Sequence, residues 1–564
     1  IGLLGGLKAW IFYILLLILL AVSVFDIKYI IINSVKLLLS FVKKLNWKSV
    51  EAVLLAVIIL HFLFAFICCL APQTDWDSQV HHILVPKVFL NEGKIWNVKI
   101  SDDWFFVGFN YPSNMEMLFT LGMLLSSDIL ATLIAWSVSV FLAIGVYSLS
   151  RQYYSFRLSL FAAVIAYCCP LVILHSTANT VDIGVAFFAL LALYAALKWL
   201  DSEDSRFIIL SGIYAGLCAG TKYTGLIVFF VLALFIALWS LIEHKKRLKF
   251  VNPFLLFCLV SVMVLSPWYI KNYVYTGNPV YPFFAKIIGG RGLPPTALKH
   301  GASTAWKGFD DYENWYSLIL SYLRFPWDLT MLNSSFHKPG NSIGVLYLLF
   351  IPCLVFMRKV DRKIKHILLY SLMGLTIVFG LAQRPRYMFQ FIPPLAVVAS
   401  YSIYRLSEKD IVIKRVCALI ITFAVLFNLL LIMGLAYIRL PVVFGINSKD
   451  EYLSKRMEGY YNAILYINKN LSDDNRIISN DLRFYYCEVP CIRDSNVIDY
   501  NILQGDEDRL LERLRELKVT HVLVNVNFGT FRQQSVRNIY DKIIHKGRLR
   551  EIFSRNEISF YEIK

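Results

Sequence analysis

"EAVLLAVIILHFLFAFICCLAPQTDWDSQVHHILVPK" (51–87) decides how this chain is read. A run of largely apolar residues ends at Leu70, long enough to cross a bilayer core of about 20 helical residues. Asp75, Asp77, His81, His82 and Lys87 then follow within a short stretch. A hydrophobic span that opens onto a cluster of ionisable groups places chemistry at a membrane surface.

The rest of the chain agrees. Of its 564 residues, 57% are hydrophobic and only 17% charged, with a mean hydropathy of +0.58. Soluble domains carry about a quarter charged residues. The apolar excess is gathered into about twelve blocks of span length: 3–25, 50–70, 127–149, 157–175, 182–200, 206–221, 224–243, 251–270, 341–357, 365–381, 391–405 and 416–438. The fold class is therefore an α-helical polytopic membrane protein of about 12–13 transmembrane helices.

The net charge of +17 does not mark a nucleic-acid footprint. "KKLNWK" (43–48), "HKKRLK" (244–249) and "RKVDRKIK" (358–365) are short links between apolar blocks, which is the positive-inside signal that sets orientation. Fixing "KKLNWK" in the cytoplasm puts 71–112, 271–340, 382–387 and everything after about 440 on the outer face. Alternation then leaves the first residue outside as well. That residue is Ile rather than Met, and one further upstream span would return the N-terminus to the cytoplasm and make thirteen.

The chain divides into a span with a cytoplasmic amphipathic segment (1–49), a membrane-embedded body (50–440) with outer loops 71–112 and 271–340, and a C-terminal extracytoplasmic α/β domain (441–564). In that last part "RIISN" (476–480) and "HVLVNV" (521–526) read as strands. "EDRLLERLRELK" (507–518) places leucines at helical spacing. Eight of the ten cysteines lie in or beside apolar blocks, where cysteine acts as a small hydrophobe. Cys487 and Cys491 could pair if they lie outside the cytoplasm.

Four outer constellations could carry chemistry. Asp77 precedes "SQVHHILVPKVFLNEG" and could simply cap a helix. Alternatively, the amphipathic stretch 80–96, with Ile83, Leu84, Val88 and Phe89 opposing His81, His82 and Lys87, lies in the interface plane and holds the carboxylate at headgroup depth. In "DDWFFVGFNYPSNMEM" (102–117), Trp104, Phe105 and Phe106 read as interface anchors. Tyr111 and Glu116 stand at the return to the membrane, where an acidic group also suits a helix N-terminus. In "AGTKYTG" (219–225), Lys222 could snorkel or hold a phosphate. "QRPRYMFQFIPP" (383–394) puts Arg384 and Arg386 outside, against the positive-inside bias and beside Tyr387, as candidates for an anionic lipid headgroup. Lys271, Arg324, His337 and Lys338 are weaker candidates of the same kind. No Walker loop, HExxH or GxSxG with a triad accompanies them.

These segments, in this order and on one side, resemble the lipid-carrier-dependent glycosyltransferases of the GT-C fold, which include protein O-mannosyltransferases and bacterial aminoarabinose transferases. "WDSQVHHILVPK" (76–87) is similar to the Trp-Asp-x-x-x-Tyr-His start of the first outer loop in many bacterial relatives, with His81 in the tyrosine position and no glutamate after Asp77. "FNYPSNMEM", "AGTKYTG", "GNPVYPF" and "RPRYMFQFIPPLA" resemble further family elements, and the likeness covers roughly 50–564.

The resemblance implies an inverting transferase in a bacterial cytoplasmic membrane, working on the cell-envelope side. Its donor would be a polyprenyl-phosphate-linked sugar, its acceptor a hydroxyl on a glycan, lipid or protein. Asp77 would be the general base with Asp75 in reserve, and Arg386, Arg384 and Lys222 would hold the phosphate. Tyr387, His81, His82, Tyr111, Glu116 and Lys271 would complete the substrate site. No cofactor is required for these steps, although a divalent metal could bind where Asp and His lie close. The alternative is a non-catalytic or transport subunit handling lipid-linked sugars.

Overall fold

Apolar blocks bounded by charged links fold as helices, because inside a bilayer every backbone amide must be satisfied within its own segment. The computed structural model describes residues 2–44, 46, 49–96, 107–243, 247–293, 314–331, 342–498, 500 and 506–564. Trp104, Phe105, Phe106, His337 and Lys338 lie outside the described residues.

All twelve apolar blocks are helical, and the chain is an integral membrane protein. Among the described residues, seven helices are long and apolar enough to cross a membrane: Ala9–Asn33, Val50–Cys69, Asp128–Arg151, Asp182–Ser202, Asn252–Thr276, Arg362–Leu381 and Ile411–Val443. Phe156–Tyr167 and Pro170–Ser176 are apolar enough only when taken together, and they bend by 67° at the break between them. Pro170 stands at the start of the second arm, where its missing amide costs nothing. Other blocks give shorter helices, such as Ser205–Ala219 and Gly225–Trp239. Residues 114–125 form a short helix of their own before the break at Ser126.

Small residues let these helices approach closely, as membrane packing requires. Any side chain at Gly216 would meet the Ser261 carbonyl at 2.7 Å and the Val264 Cβ at 2.6 Å. Helix Ser205–Ala219 therefore seats directly on helix Arg247–Thr276. The first long helix differs, since the apolar window of Ala9–Asn33 has no residue buried within the protein. At its N-terminal end, Leu7 and Phe12 join Val85, Phe89 and Phe109 in a small apolar cluster, and the Tyr13 hydroxyl donates to the Leu125 carbonyl.

The C-terminal part is an α/β domain. Strands β1 (Ile477–Ser479), β2 (Cys491–Arg493), β3 (His521–Asn525), β4 (Leu549–Arg555) and β5 (Ile558–Ile563) form one sheet in the order β2-β1-β3-β5-β4. β1 runs parallel to both β2 and β3, and the β4–β5 hairpin closes the sheet antiparallel to β3. Leu510, Leu511, Leu514, Val536, Ile539 and Ile543 of helices Glu507–Glu516 and Gln534–His545 cover one face. Leu453, Ile464 and Ile467 of helices Lys449–Met457 and Gly459–Asn470 cover the other. The Cys491 thiol donates a hydrogen bond to the Cys487 sulfur at 3.0 Å, and the two form no disulfide.

Candidate active site

Helix Val50–Cys69 ends at Leu70, and the chain re-enters helical geometry through a π-helical turn, Ser78–His82. The turn is closed by the Ile83 amide on the Ser78 carbonyl, and helix Leu84–Glu92 follows, stopped by Gly93 in the left-handed region. Asp75 starts the turn. Its Oδ2 accepts from the Ser78 amide at 2.9 Å and the Ser78 hydroxyl at 3.0 Å. Asp77 makes no capping bond. The two aspartates thus separate, with Asp75 occupied by local structure and Asp77 directed elsewhere.

Asp77 meets Arg386, with which it forms an ion pair. Arg386 comes from the tight link before helix Ile392–Ser407, in a short turn begun by Pro385. Its guanidinium lies 5.3 Å from the centre of the Tyr387 ring. Lys222 approaches the same ring, 4.8 Å from its centre, and its Nζ donates to Asp182 Oδ1 at 2.7 Å. Lys222 is presented by a turn that admits no side chain at Gly225, where a Cβ would fall 2.2 Å from the Cys218 carbonyl oxygen. Two carboxylates and two cations therefore gather around Tyr387, each carboxylate paired with one cation.

Burial opposes ionisation of Asp77, but the Arg386, His82 and Lys222 charges together outweigh it and hold the carboxyl below its ordinary range. Burial likewise lowers the pKa of Arg386, and Asp77, Tyr387 and Asp182 together more than reverse this, so Arg386 stays charged. Arg384, half-buried in the same link, feels Tyr387, Arg386 and Asp77, and burial shifts it down.

On the other side of the π turn, Glu116 is almost fully buried at 1% exposure. Its Oε1 accepts from His82 Nδ1 at 2.9 Å and lies 3.6 Å from His81 Nε2. Burial, reinforced by neighbouring His82, pushes His81 down to about 3, so its imidazole is neutral. The Tyr111 ring packs edge-on against His81 and Tyr223, and burial raises its hydroxyl to about 12. Of the residues singled out from sequence, Lys271 and Arg324 stand apart from this group. Lys271 Nζ donates to the Phe109 carbonyl, and Arg324 pairs with Asp328 one turn away.

Two members escaped the sequence reading, Asp182 and His175. Both belong to "HSTANTVD" (175–182), the polar link between two apolar blocks. The alternation that put 382–387 outside also puts this link outside, and that was the available signal. His175 Nδ1 bonds the Thr180 hydroxyl at 2.7 Å, and its ring stacks on Phe389, three residues past Arg386.

The C-terminal domain bears on the same segment. Lys87 Nζ donates to the carbonyls of Tyr485 at 2.8 Å and Cys487 at 3.0 Å. The Tyr486 hydroxyl donates to the Gln73 carbonyl at 2.9 Å, and Trp76 packs against Phe528. The turn carrying Asp77 is thus clamped between the membrane helices and the α/β domain.

Comparison with known proteins places this arrangement. Residues 114–393 match a family model described as a domain of unknown function, DUF8201. No curated protein sequence matches the chain. The structure is similar to ArnT from Cupriavidus metallidurans bound to undecaprenyl phosphate, with a TM-score of 0.59 at 11% identity, covering 91% of this chain and 98% of that one. The apo state of the same protein gives 0.57 at 12%, covering 90% and 97%. The Archaeoglobus fulgidus oligosaccharyltransferase tethered to an acceptor peptide gives 0.51 at 12%, covering 85% and 70%. The chain has the GT-C fold.

Proposed function

We propose that this chain is an inverting glycosyltransferase, moving a sugar from a polyprenyl-phosphate carrier to an acceptor hydroxyl at the outer face of a cytoplasmic membrane. The observation that carries this reading is the paired array of Asp77–Arg386 and Lys222–Asp182 around Tyr387. A phosphodiester arriving from the lipid side would take Arg386, with Lys222 and Arg384 behind it, because a planar guanidinium matches a phosphate with two parallel donors. Losing Arg386 to the phosphate frees Asp77.

Asp77 then accepts the proton of the acceptor hydroxyl. The acceptor oxygen forms a bond to the anomeric carbon as the bond from that carbon to the phosphate oxygen breaks, with inversion. The leaving lipid phosphate gains one negative charge, which the cations stabilise where it develops. The proton remains on Asp77 until solvent removes it. General-base catalysis of this kind contributes about 10²–10⁴-fold. The likeness to an ArnT structure that holds undecaprenyl phosphate supports the carrier class.

The test is transfer or hydrolysis of a polyprenyl-phosphate sugar by the purified chain supplied with a membrane extract, together with mass spectrometry of co-purified lipid. Asp77→Asn should lose about 10²–10⁴-fold in rate while keeping the bound lipid. Full activity in that variant would remove Asp77 from the reaction. Wild-type protein that binds the lipid sugar but leaves it intact would favour a transport or assembly role.

A further inference from the structure

His81, His82 and Glu116 do not act as phosphate ligands or as base in the reaction above, yet they converge. Successive residues of an α-helix point about 100° apart, because one turn takes 3.6 residues. The wider π turn at Ser78–His82, a feature that recurs at functional sites, changes that angle and brings both neighbouring imidazoles onto one carboxylate. Their ring centres lie 5.0 Å apart, and the three candidate ligand atoms all fall within 4.8 Å of one another.

Glu116 is 1% exposed, and its Oε2 is buried without a hydrogen-bond partner. A carboxylate in apolar surroundings with one oxygen unmatched is costly unless it is paired or coordinates a metal. Two atoms bound to one ion at 2.0–2.1 Å with tetrahedral angles stand about 3.3 Å apart. The observed separations from Glu116 Oε1, 2.9 Å to His82 Nδ1 and 3.6 Å to His81 Nε2, bracket that value. Two imidazoles and a carboxylate form the donor set of open divalent sites, and imidazole selects a first-row transition ion over Mg2+.

We propose that His81 Nε2, His82 Nδ1 and Glu116 bind a divalent transition-metal ion of the Zn2+ type. The ion would pin the turn that carries Asp77 to the start of helix Asn114–Leu125 and satisfy the Glu116 carboxylate. Three protein ligands leave a position open to water or a substrate oxygen. The inference stands on these three side chains and does not rest on the sugar-transfer reading.

Metal content can be read without substrate. The full chain, purified with a tag lacking histidine, should retain about one equivalent of zinc by inductively coupled plasma mass spectrometry, as a site with three protein ligands predicts. After chelation, Co2+ should restore a d–d spectrum characteristic of a low-coordinate nitrogen–oxygen site. Glu116→Gln keeps the shape and a hydrogen-bond acceptor for His82, and His81→Asn alters the most exposed ligand. Each should weaken Co2+ binding at least about tenfold. Each should also unfold at the temperature of the chelated wild type when tested in chelator, which separates a lost ligand from a lost fold. No retained metal and no Co2+ spectrum would reduce the cluster to a hydrogen-bonded His–Glu pair and overturn the proposal. Co2+ binding unchanged in both variants would place the ion elsewhere and overturn it equally.

Discussion

Asp77 and Arg386, 309 residues apart in sequence, form an ion pair that joins the first surface turn to the link before helix Ile392–Ser407. Each is partly exposed, with 28% and 23% of its side chain accessible. The pair can therefore exchange partners without unfolding anything around it.

That pair sets a pH dependence. The folded-state pKa of Asp77 lies below its ordinary 3.8 because Arg386, with smaller help from His82 and Lys222, favours the ionised form over the opposing effect of burial. A depressed carboxylate contributes stability that is present above the unfolded pKa and lost as pH falls through the folded one. The unfolding temperature of wild type should exceed that of Asp77→Asn at pH 6, and the gap should close below about pH 4, near the unfolded aspartate value. In Arg386→Gln the largest of the cationic influences on Asp77 is lost while burial still opposes ionisation, so the Asp77 pKa should rise. A gap that stays constant down to pH 3 would show that the pair adds nothing to stability.

Asp182 should prove as sensitive as the residues first picked out. It is 3% exposed and holds Lys222 at 2.7 Å. Removing one partner of a buried pair leaves the other charge uncompensated, a loss of about 3–5 kcal/mol. Asp182→Asn should thus lower stability in detergent, and Asp182→Asn combined with Lys222→Met should recover part of it. A double variant no better than the single one would show that the pair is not the reason for the charge.

Lys87 should govern how the α/β domain sits on the membrane body. Its two bonds to the Tyr485 and Cys487 carbonyls are charge-assisted, and burial lowers its pKa. Hydrogen bonds to charged groups contribute about 1.5–3 kcal/mol each. Lys87→Met should speed amide hydrogen exchange across 485–491 while leaving the sheet core around Ile478 and Val522 protected. Unchanged exchange in 485–491 would assign the docking to the Tyr486 and Trp76 contacts alone.

Much of this architecture is legible in the sequence because bilayer physics is periodic and strict. Length and composition mark the apolar blocks, and lysine and arginine mark the links between them. "RIISN" and "HVLVNV" show as β1 and β3 because branched residues run between polar ones. β2, β4 and β5 carry charges or lie in short runs, as in "LREIFSR", and so escape the pattern. At the site, Arg386 stands out because the charge alternation read from the sequence assigns it to the side that lysine and arginine avoid. Asp75 and Asp77 both lie in capping frames, and only the three-dimensional placement of Ser78 assigns the cap to Asp75. Asp182 hides as an ordinary acidic helix start. His81 and His82 cannot be brought onto Glu116 by helical spacing, since the π turn that does so leaves no periodic trace.

The four charges around Tyr387 have a consequence for turnover. Because each cation already holds a carboxylate, a phosphate arriving in the proposed reaction would not fill an electrostatic vacancy but compete in an exchange. In that reaction the same exchange would run backwards as the spent lipid departs, with Asp77 and Asp182 reclaiming Arg386 and Lys222. Under the proposed reaction, affinity for the carrier would be the small difference between two sets of ion pairs, and a long polyprenyl product could leave without being trapped by unpaired charge.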